Sequence, residues 1–222
     1  MADFTVQLRI AQQGEIKTIR DEAIRYLGYS KAKPDELTDS LIDECEKELL
    51  QAVSGRACFA YSGVKFPEEN VVDIGFGDIR SKSLYKHLKD CHGVILFAAT
   101  VGIGADRLIA RYNRLSPAKS VIIDALASSA IEYWCDVIEL ELTKGEKSCA
   151  RFSAGYGDFP LEHQKDFVRC LDVSRKLGVT LSDSLLMTPT KSVTAVIGLG
   201  GNARTCGNRC MSCTNKHCIY RE

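Results

Sequence analysis

Apolar residues recur every three or four positions in several stretches of the chain, which is the pattern of helices that bury one face. The helices predicted on this basis cover residues 15–27, 36–53, 81–91, 106–113, 117 to about 143, and 158–177. Ser116 and Pro117 begin the longest of them, because serine is a common N-cap and proline fits the first helical position. Gly178 follows the last one, and glycine commonly ends a helix.

Short apolar runs bounded by glycine, proline and polar residues predict strands over 57–61, 71–74, 93–100, 179–187 and 192–200. The run at 93–100 carries no charge, which indicates a buried strand. Strands and long helices are interspersed without a strict strand–helix–strand repeat. We therefore predict an α+β domain over residues 1–200, with a mixed or antiparallel twisted sheet and long helices.

The composition narrows the choice of partners. The chain has 222 residues, and its 29 Lys and Arg balance its 29 Asp and Glu. Without an excess of positive charge a nucleic-acid partner is not expected. The longest uncharged apolar stretch, 93–105, is shorter than the ~20 residues that a membrane span needs, and the N-terminus does not resemble a signal peptide. We therefore expect a cytoplasmic protein with no membrane partner.

Four of the ten cysteines lie in the last 17 residues: Cys206, Cys210, Cys213 and Cys218. Thiolates this close together can converge on one metal centre, and they select zinc or an iron–sulfur cluster. Zinc sites favour paired Cys-x-x-Cys spacings, and only Cys210 and Cys213 have that spacing here. We predict that residues 201–222 form a metal-binding tail, with zinc and iron–sulfur both open and His217 as a possible substitute ligand.

The other six cysteines are scattered among apolar neighbours. We expect them to be small buried side chains rather than disulfides or ligands. They are Cys45, Cys58, Cys91, Cys135, Cys149 and Cys170.

A short loop after the longest helix carries the second candidate chemistry. Residues 151–160, hereafter the arginine loop, read Arg-Phe-Ser-Ala-Gly-Tyr-Gly-Asp-Phe-Pro. The planar fork of Arg151 can hold a carboxylate through two hydrogen bonds. Gly155 allows the backbone to approach a ligand, and Tyr156 offers an aromatic face and a hydroxyl. The same pattern is also typical of a structured turn with a surface salt bridge.

Several segments together resemble the activation (reactivation) domain of cobalamin-dependent methionine synthase. The resemblance extends over about residues 93–200. The segments that carry it are Leu96 to Gly102 followed by Asp106 to Ile109, then Asp124 to Tyr133, then Arg151-x-x-x-Gly-Tyr156 followed by Pro160, and Leu181 to Pro189 followed by Ser192 and Val193.

The resemblance implies the fold of that domain and its function. Such a domain binds S-adenosylmethionine and holds its methyl group over a cobalt that has been oxidised to Co(II). The partner would be a separate cobalamin-dependent methionine synthase core or another corrinoid methyltransferase that carries the cobalamin. An electron donor such as flavodoxin or ferredoxin would supply the electron, and this chain would act as an accessory subunit.

The resemblance also assigns residues that bind S-adenosylmethionine, and it assigns no catalytic residue. Arg151 would hold the ligand carboxylate, Ala154 and Gly155 would offer backbone contacts, and Tyr156 would pack beside the ligand. Glu132 matches an acidic position near the cationic ligand, whereas Ser128 stands where the family has a second glutamate.

Two other functions fit the residues. The chain could be a metal-binding redox or adaptor protein that keeps the fold without binding S-adenosylmethionine, and the Ser128 departure motivates this alternative. It could instead be a structural interaction module, which predicts neither metal nor ligand.

Overall fold

The computed structural model describes residues 4–29 and 33–200. The described part contains eight strands, namely β1 (Gln7–Ile10), β2 (Arg56–Gly63), β3 (Val71–Asp73), β4 (Asp78–Arg80), β5 (Gly93–Thr100), β6 (Thr180–Leu181), β7 (Met187–Thr188) and β8 (Ser192–Leu199). Its α-helices are α1 (Arg20–Tyr26), α2 (Glu36–Ala52), α3 (Lys82–Leu88), α4 (Ile103–Leu115), α5 (Pro117–Thr143), α6 (Gln164–Cys170) and α7 (Val173–Leu177).

The central sheet has four strands in the order β1-β2-β5-β8, and every neighbouring pair is antiparallel. One of its two inner strands, β5, is buried over its whole length, as its uncharged sequence predicts. Two short hairpins, β3-β4 and β6-β7, lie outside this sheet. The predicted α+β class with an antiparallel sheet is therefore confirmed. The predicted division into residues 1–200 and a metal-binding tail concerns residues 201–222, which lie outside the described part.

Successive side chains of a strand point to opposite faces of the sheet, so strands that are apolar throughout bury side chains on both faces. Helices cover both faces for this reason. On one face Phe97 and Ile197 pack in a core with Trp134 of α5, and α1, α2 and α4 contribute to the same core. On the other face Leu96 and Val196 pack with α3, α6 and α7. None of the helices in the described ranges has the length and apolar character needed to span a membrane.

The prediction of a helix over 15–27 is wrong in its first third, because the helix begins only at Arg20. Gly14 has a positive φ of 77°, so the chain turns there. Glu15 then accepts hydrogen bonds from the side chain of Arg9 and from the backbone N–H of Gln12. These contacts hold the segment in a non-helical course that still buries Ile16.

The predictions for residues 158–187 give the correct types of secondary structure, a helix and then a strand, but each predicted element is interrupted. The predicted helix begins with a 3-10 turn over Leu161–His163. It is then divided into α6 and α7, because Asp172 between them adopts a left-handed conformation with φ of 51°. The predicted strand over 179–187 is a hairpin of two short strands, β6 and β7. Of the six scattered cysteines, five are buried as predicted and Cys170 is partly exposed.

Candidate functional site

Residues 147–152 run along the outer edge of β8. The backbone N–H of Cys149 donates to Gly198, and Phe152 and Val196 exchange both of their backbone hydrogen bonds at 2.9 Å. Phe152 packs against the core that contains α3 and α6. Its neighbour Arg151 therefore points to the opposite side of the sheet, toward α5.

Arg151 binds three carboxylates on one face of α5, hereafter the acidic row (Glu132, Asp136 and Glu139). Nη1 of Arg151 lies 2.7 Å from Glu139, and Nη2 lies 2.9 Å from Glu132 and 2.7 Å from Asp136. Their spacing of four and then three residues puts the three carboxylates on the same helix face. The structure thus brings together two of the predicted site residues, Arg151 and Glu132.

The electrostatics of this contact favour a zwitterionic group. The Arg151 side chain is 6% exposed, whereas Asp136 is 59% exposed. Three carboxylates face one permanently charged guanidinium, so the local charge is net negative. A ligand carboxylate can reach the guanidinium by displacing Asp136, and a ligand ammonium group would find carboxylates on the same helix face. An α-amino acid moiety carries both groups.

The arginine loop continues toward the other face of the sheet. Ala154 is buried, and Tyr156 is 54% exposed with its ring 5.7 Å from that of Phe152. Gly155 has a φ of 92°, and its backbone N–H donates to Phe159 within the loop at 2.8 Å. Of the predicted loop residues, Tyr156 therefore presents a solvent-exposed ring, while Ala154 packs inward.

Asp158 forms hydrogen bonds that connect the arginine loop to the start of α3. Its carboxylate accepts hydrogen bonds from the hydroxyl of Ser81 at 2.7 Å and from the backbone N–H groups of Lys82 and Ser83, each at 2.9 Å. These bonds favour the charged form, so the pKa of Asp158 lies well below its usual value. Gly157 makes the approach possible, because a Cβ atom there would lie 2.5 Å from Oγ of Ser83.

We expect Asp158→Ala to lower the free energy of unfolding by ~1–2 kcal/mol, because it leaves amides at a helix N-terminus without an acceptor. The folded-state pKa of Asp158 is depressed. This contribution is therefore complete above the unfolded-state pKa of about 3.9 and is lost as the pH falls through the folded-state value. Urea unfolding of the wild type and the variant between pH 2 and 7 measures both quantities.

The matched control is Asp183→Ala, a change at an exposed position in the β6-β7 hairpin. It should alter the free energy of unfolding by less than about 0.5 kcal/mol. A stability difference between the wild type and Asp158→Ala that persisted unchanged at pH 2 would contradict the proposed role of the carboxylate.

His87 contacts residues 147–152 through its ring and through a hydrogen bond. Its ring lies 4.8 Å from the ring of Phe152, and its Nε2 atom is 2.9 Å from the carbonyl oxygen of Ala150. Burial lowers the pKa of His87, although the hydrogen bond to Ala150 acts in the opposite direction. Because a carbonyl oxygen can only accept, the Nε2–H of His87 donates to Ala150, the residue that precedes Arg151.

A second cation lies further along α5. Nζ of Lys191 is 2.8 Å from Asp124 and 2.9 Å from the hydroxyl of Ser128. Helix α5 therefore carries a continuous polar face from Asp124 to Glu139, with Lys191 at one end and Arg151 at the other. The sequence analysis missed Lys191, which directly precedes β8.

Comparison with known proteins identifies similarity at the level of the fold. No family model matches the chain, and no curated protein matches it by sequence. Among solved structures it is similar to the "MetH Reactivation Domain bound to AdoHcy". The TM-score is 0.66 and the sequence identity is 13%, over 90% of this chain and 80% of that chain. The chain has the reactivation-domain fold. Because folds are shared by proteins of different function, this identity level establishes the architecture alone.

The cysteines predicted to bind a metal, Cys206, Cys210, Cys213 and Cys218, lie outside the described residues. Within residues 4–29 and 33–200, no group of three or more His, Cys, Asp and Glu side chains is arranged to hold a metal ion. The metal-binding tail stays a prediction.

Proposed function

We propose that this chain binds S-adenosylmethionine and serves as a reactivation subunit for a corrinoid methyltransferase. The observation that carries the proposal is the fit between Arg151, with its acidic row, and an α-amino acid moiety, on a chain with the reactivation-domain fold. The solved neighbour contains AdoHcy, which has the same amino acid moiety as S-adenosylmethionine. The partner would be a cobalamin-dependent methionine synthase core or a related corrinoid protein in the cytoplasm.

Each side chain has a distinct task in this proposal. Arg151 exchanges the carboxylate of Asp136 for that of the ligand, and Glu132 then faces the ligand ammonium group. The exposed ring of Tyr156 packs beside the ligand, with Ala154 and Gly155 forming the backbone of the loop around it. Since the N–H of Gly155 already donates to Phe159, we assign its carbonyl group to any backbone contact with the ligand.

The chain's own contribution is to position the methyl donor. A cobalamin carried by the partner would supply the redox and methyl-accepting chemistry. Flavodoxin or ferredoxin would provide the electron. The carboxylates of the acidic row also favour a positively charged ligand, which suits the sulfonium of S-adenosylmethionine.

One observation favours the alternative of a redox or adaptor protein without S-adenosylmethionine binding. Lys191 binds Ser128, at a position where the resemblance leads one to expect a glutamate. Lys191 also pairs with Asp124 at 2.8 Å, so this position lacks the excess negative charge that would attract a sulfonium group. In this alternative the four tail cysteines would hold zinc or an iron–sulfur cluster. Iron and sulfide in stoichiometric amounts in anaerobically purified protein would support the redox role, and zinc alone would contradict it.

The test is calorimetric titration of S-adenosylmethionine into the full chain, with wild type, Arg151→Lys and Arg175→Lys in parallel. We expect a micromolar Kd for the wild type, about −8 kcal/mol. Arg151→Lys keeps the charge but loses the fork, so its Kd should rise at least about tenfold. Arg175, which is 84% exposed, is the matched control and should leave the Kd unchanged.

Equal affinity of the wild type and Arg151→Lys would exclude Arg151 as the carboxylate clamp. Failure of the wild type to bind at millimolar ligand would contradict the proposed function and favour the adaptor alternative.

A further inference from the structure

Two cysteines that are distant in sequence meet beside the arginine loop. Cys91 lies in the turn between α3 and β5, and Cys149 lies in the segment that runs along β8. Their Sγ atoms are 3.6 Å apart, and the two residues are 8% and 9% exposed. Both are thiols in the structure, without a disulfide between them.

Gly198 of β8 makes room for this pair. A Cβ atom at Gly198 would lie 2.5 Å from Sγ of Cys91 and 3.4 Å from Sγ of Cys149. The two sulfur atoms therefore occupy the space above the strand that a side chain would otherwise fill. Any larger residue at this position would separate them, because protein interiors are close-packed.

The surroundings differentiate the two thiols. Burial raises the pKa of Cys91, and the hydrogen bond with Cys149 offsets only part of that rise, so peroxide would react with a minor ionised fraction of this thiol. Sγ of Cys149 also lies 3.5 Å from the carbonyl oxygen of His87, to which its S–H can donate. One S–H group makes one of these bonds at a time. In the neutral pair the S–H of Cys149 donates to His87, and when Cys91 ionises the same S–H can turn to donate to its thiolate.

We propose that Cys91 and Cys149 form a reversible intramolecular disulfide when the protein meets a peroxide. The thiolate of Cys91 attacks one oxygen of hydrogen peroxide, which yields a sulfenic acid and, with one proton, a water molecule. The sulfur of Cys149 then attacks the sulfenic sulfur, the S–S bond forms, and a second water leaves. Two thiols lose two electrons and two protons in total, and peroxide is reduced to two waters.

The geometry requires only a small movement. The sulfur atoms are 3.6 Å apart and must come within about 2.05 Å of each other. Rotation of the two side chains and a slight shift of residues 147–152 can provide this approach. Because Cys149 is two residues from Arg151, the disulfide would tie the segment that carries Arg151 to the turn after α3.

The experiment uses the full chain, reduced and then exposed briefly to hydrogen peroxide, alkylated, digested and analysed by mass spectrometry. We expect a Cys91–Cys149 linked peptide that disappears after treatment with dithiothreitol. Cys91→Ser and Cys149→Ser should abolish it. Cys58→Ser is the matched control, since Cys58 is also buried but its sulfur lies against the carbonyl oxygen of Leu171, and the linked peptide should persist.

A variant with all four tail cysteines changed to serine separates this pair from exchange with the tail. The linked peptide should form in that variant too, and oxidation should raise its Tm by several degrees, because the crosslink restricts the unfolded chain. Recovery of both cysteines as alkylated thiols after peroxide treatment would overturn the proposal, and so would a preferential link from Cys91 to a tail cysteine. Neither readout depends on S-adenosylmethionine, so the proposed function can fail without affecting this result.

Discussion

Arg151→Ala should lower the free energy of unfolding by about 3 kcal/mol, because it leaves three carboxylates facing one another without a cation. The guanidinium is almost completely buried, so removing it costs more than removing a surface charge. The exposure of Asp136 lets solvent screen part of the repulsion, which keeps the expected loss below that of a fully buried ion pair. Urea unfolding at pH 7 measures the effect.

Two further variants separate charge repulsion from lost packing. Adding Glu139→Gln to Arg151→Ala removes one of the unpaired charges and should recover about 1 kcal/mol. Arg175→Ala is the surface control, because Arg175 forms an exposed ion pair with Asp172, and its cost should stay below about 0.5 kcal/mol. If the double variant were no more stable than Arg151→Ala alone, repulsion within the acidic row would not be the cause.

Gly104→Ala should destabilise the protein by about 3 kcal/mol or prevent folding, because the new side chain has no space. A Cβ atom at Gly104 would lie 2.0 Å from the carbonyl oxygen of Ala52 and 2.8 Å from its carbonyl carbon. These are backbone atoms at the end of α2, and they cannot move aside as a flexible side chain can. Helices α2 and α4 would have to separate, which would open the core that they share with α5.

The matched control is Gly63→Ala at the end of β2. A Cβ atom at Gly63 would meet nothing within 4 Å, and its φ is not positive. We expect this variant to change the free energy of unfolding by less than about 1 kcal/mol, because alanine fits this backbone. Thermal unfolding of both variants tests the difference. Equal stability of Gly104→Ala and Gly63→Ala would mean that the close approach of α2 and α4 does not limit packing.

The elements with strong local signals could be predicted from the sequence. Helix α5 begins at Pro117, as the start signal of Ser116 and Pro117 predicts. The uncharged apolar run over residues 93–100 predicts a buried strand, and β5 covers the same residues. Strand β1 was missed because its four residues form too short a run for a clear pattern, and Leu8 and Ile10 are 45% and 56% exposed at the sheet edge. The break at Asp172 was missed because its left-handed conformation has no clear signal in the neighbouring residues.

Part of the candidate site could be predicted in the same way. Arg151 and Glu132 were each identified as candidates from the sequence, but their direct contact depends on the pairing of residues 147–152 with β8. That pairing joins segments more than 40 residues apart, and a local pattern does not encode it. Asp136 and Glu139 were missed, although their helical spacing from Glu132 was a usable signal. The Asp158 contact with α3 also arises from long-range packing.

The hydrogen bonds of Asp158 make the opening of the arginine loop measurable at the start of α3. The amides of Lys82 and Ser83 donate to this carboxylate, so hydrogen–deuterium exchange at these two positions follows the opening of the arginine loop. A segment some 70 residues away along the chain thereby registers local unfolding near Arg151. Any event that loosens the loop frays the first turn of α3, and any event that tightens the loop slows exchange there.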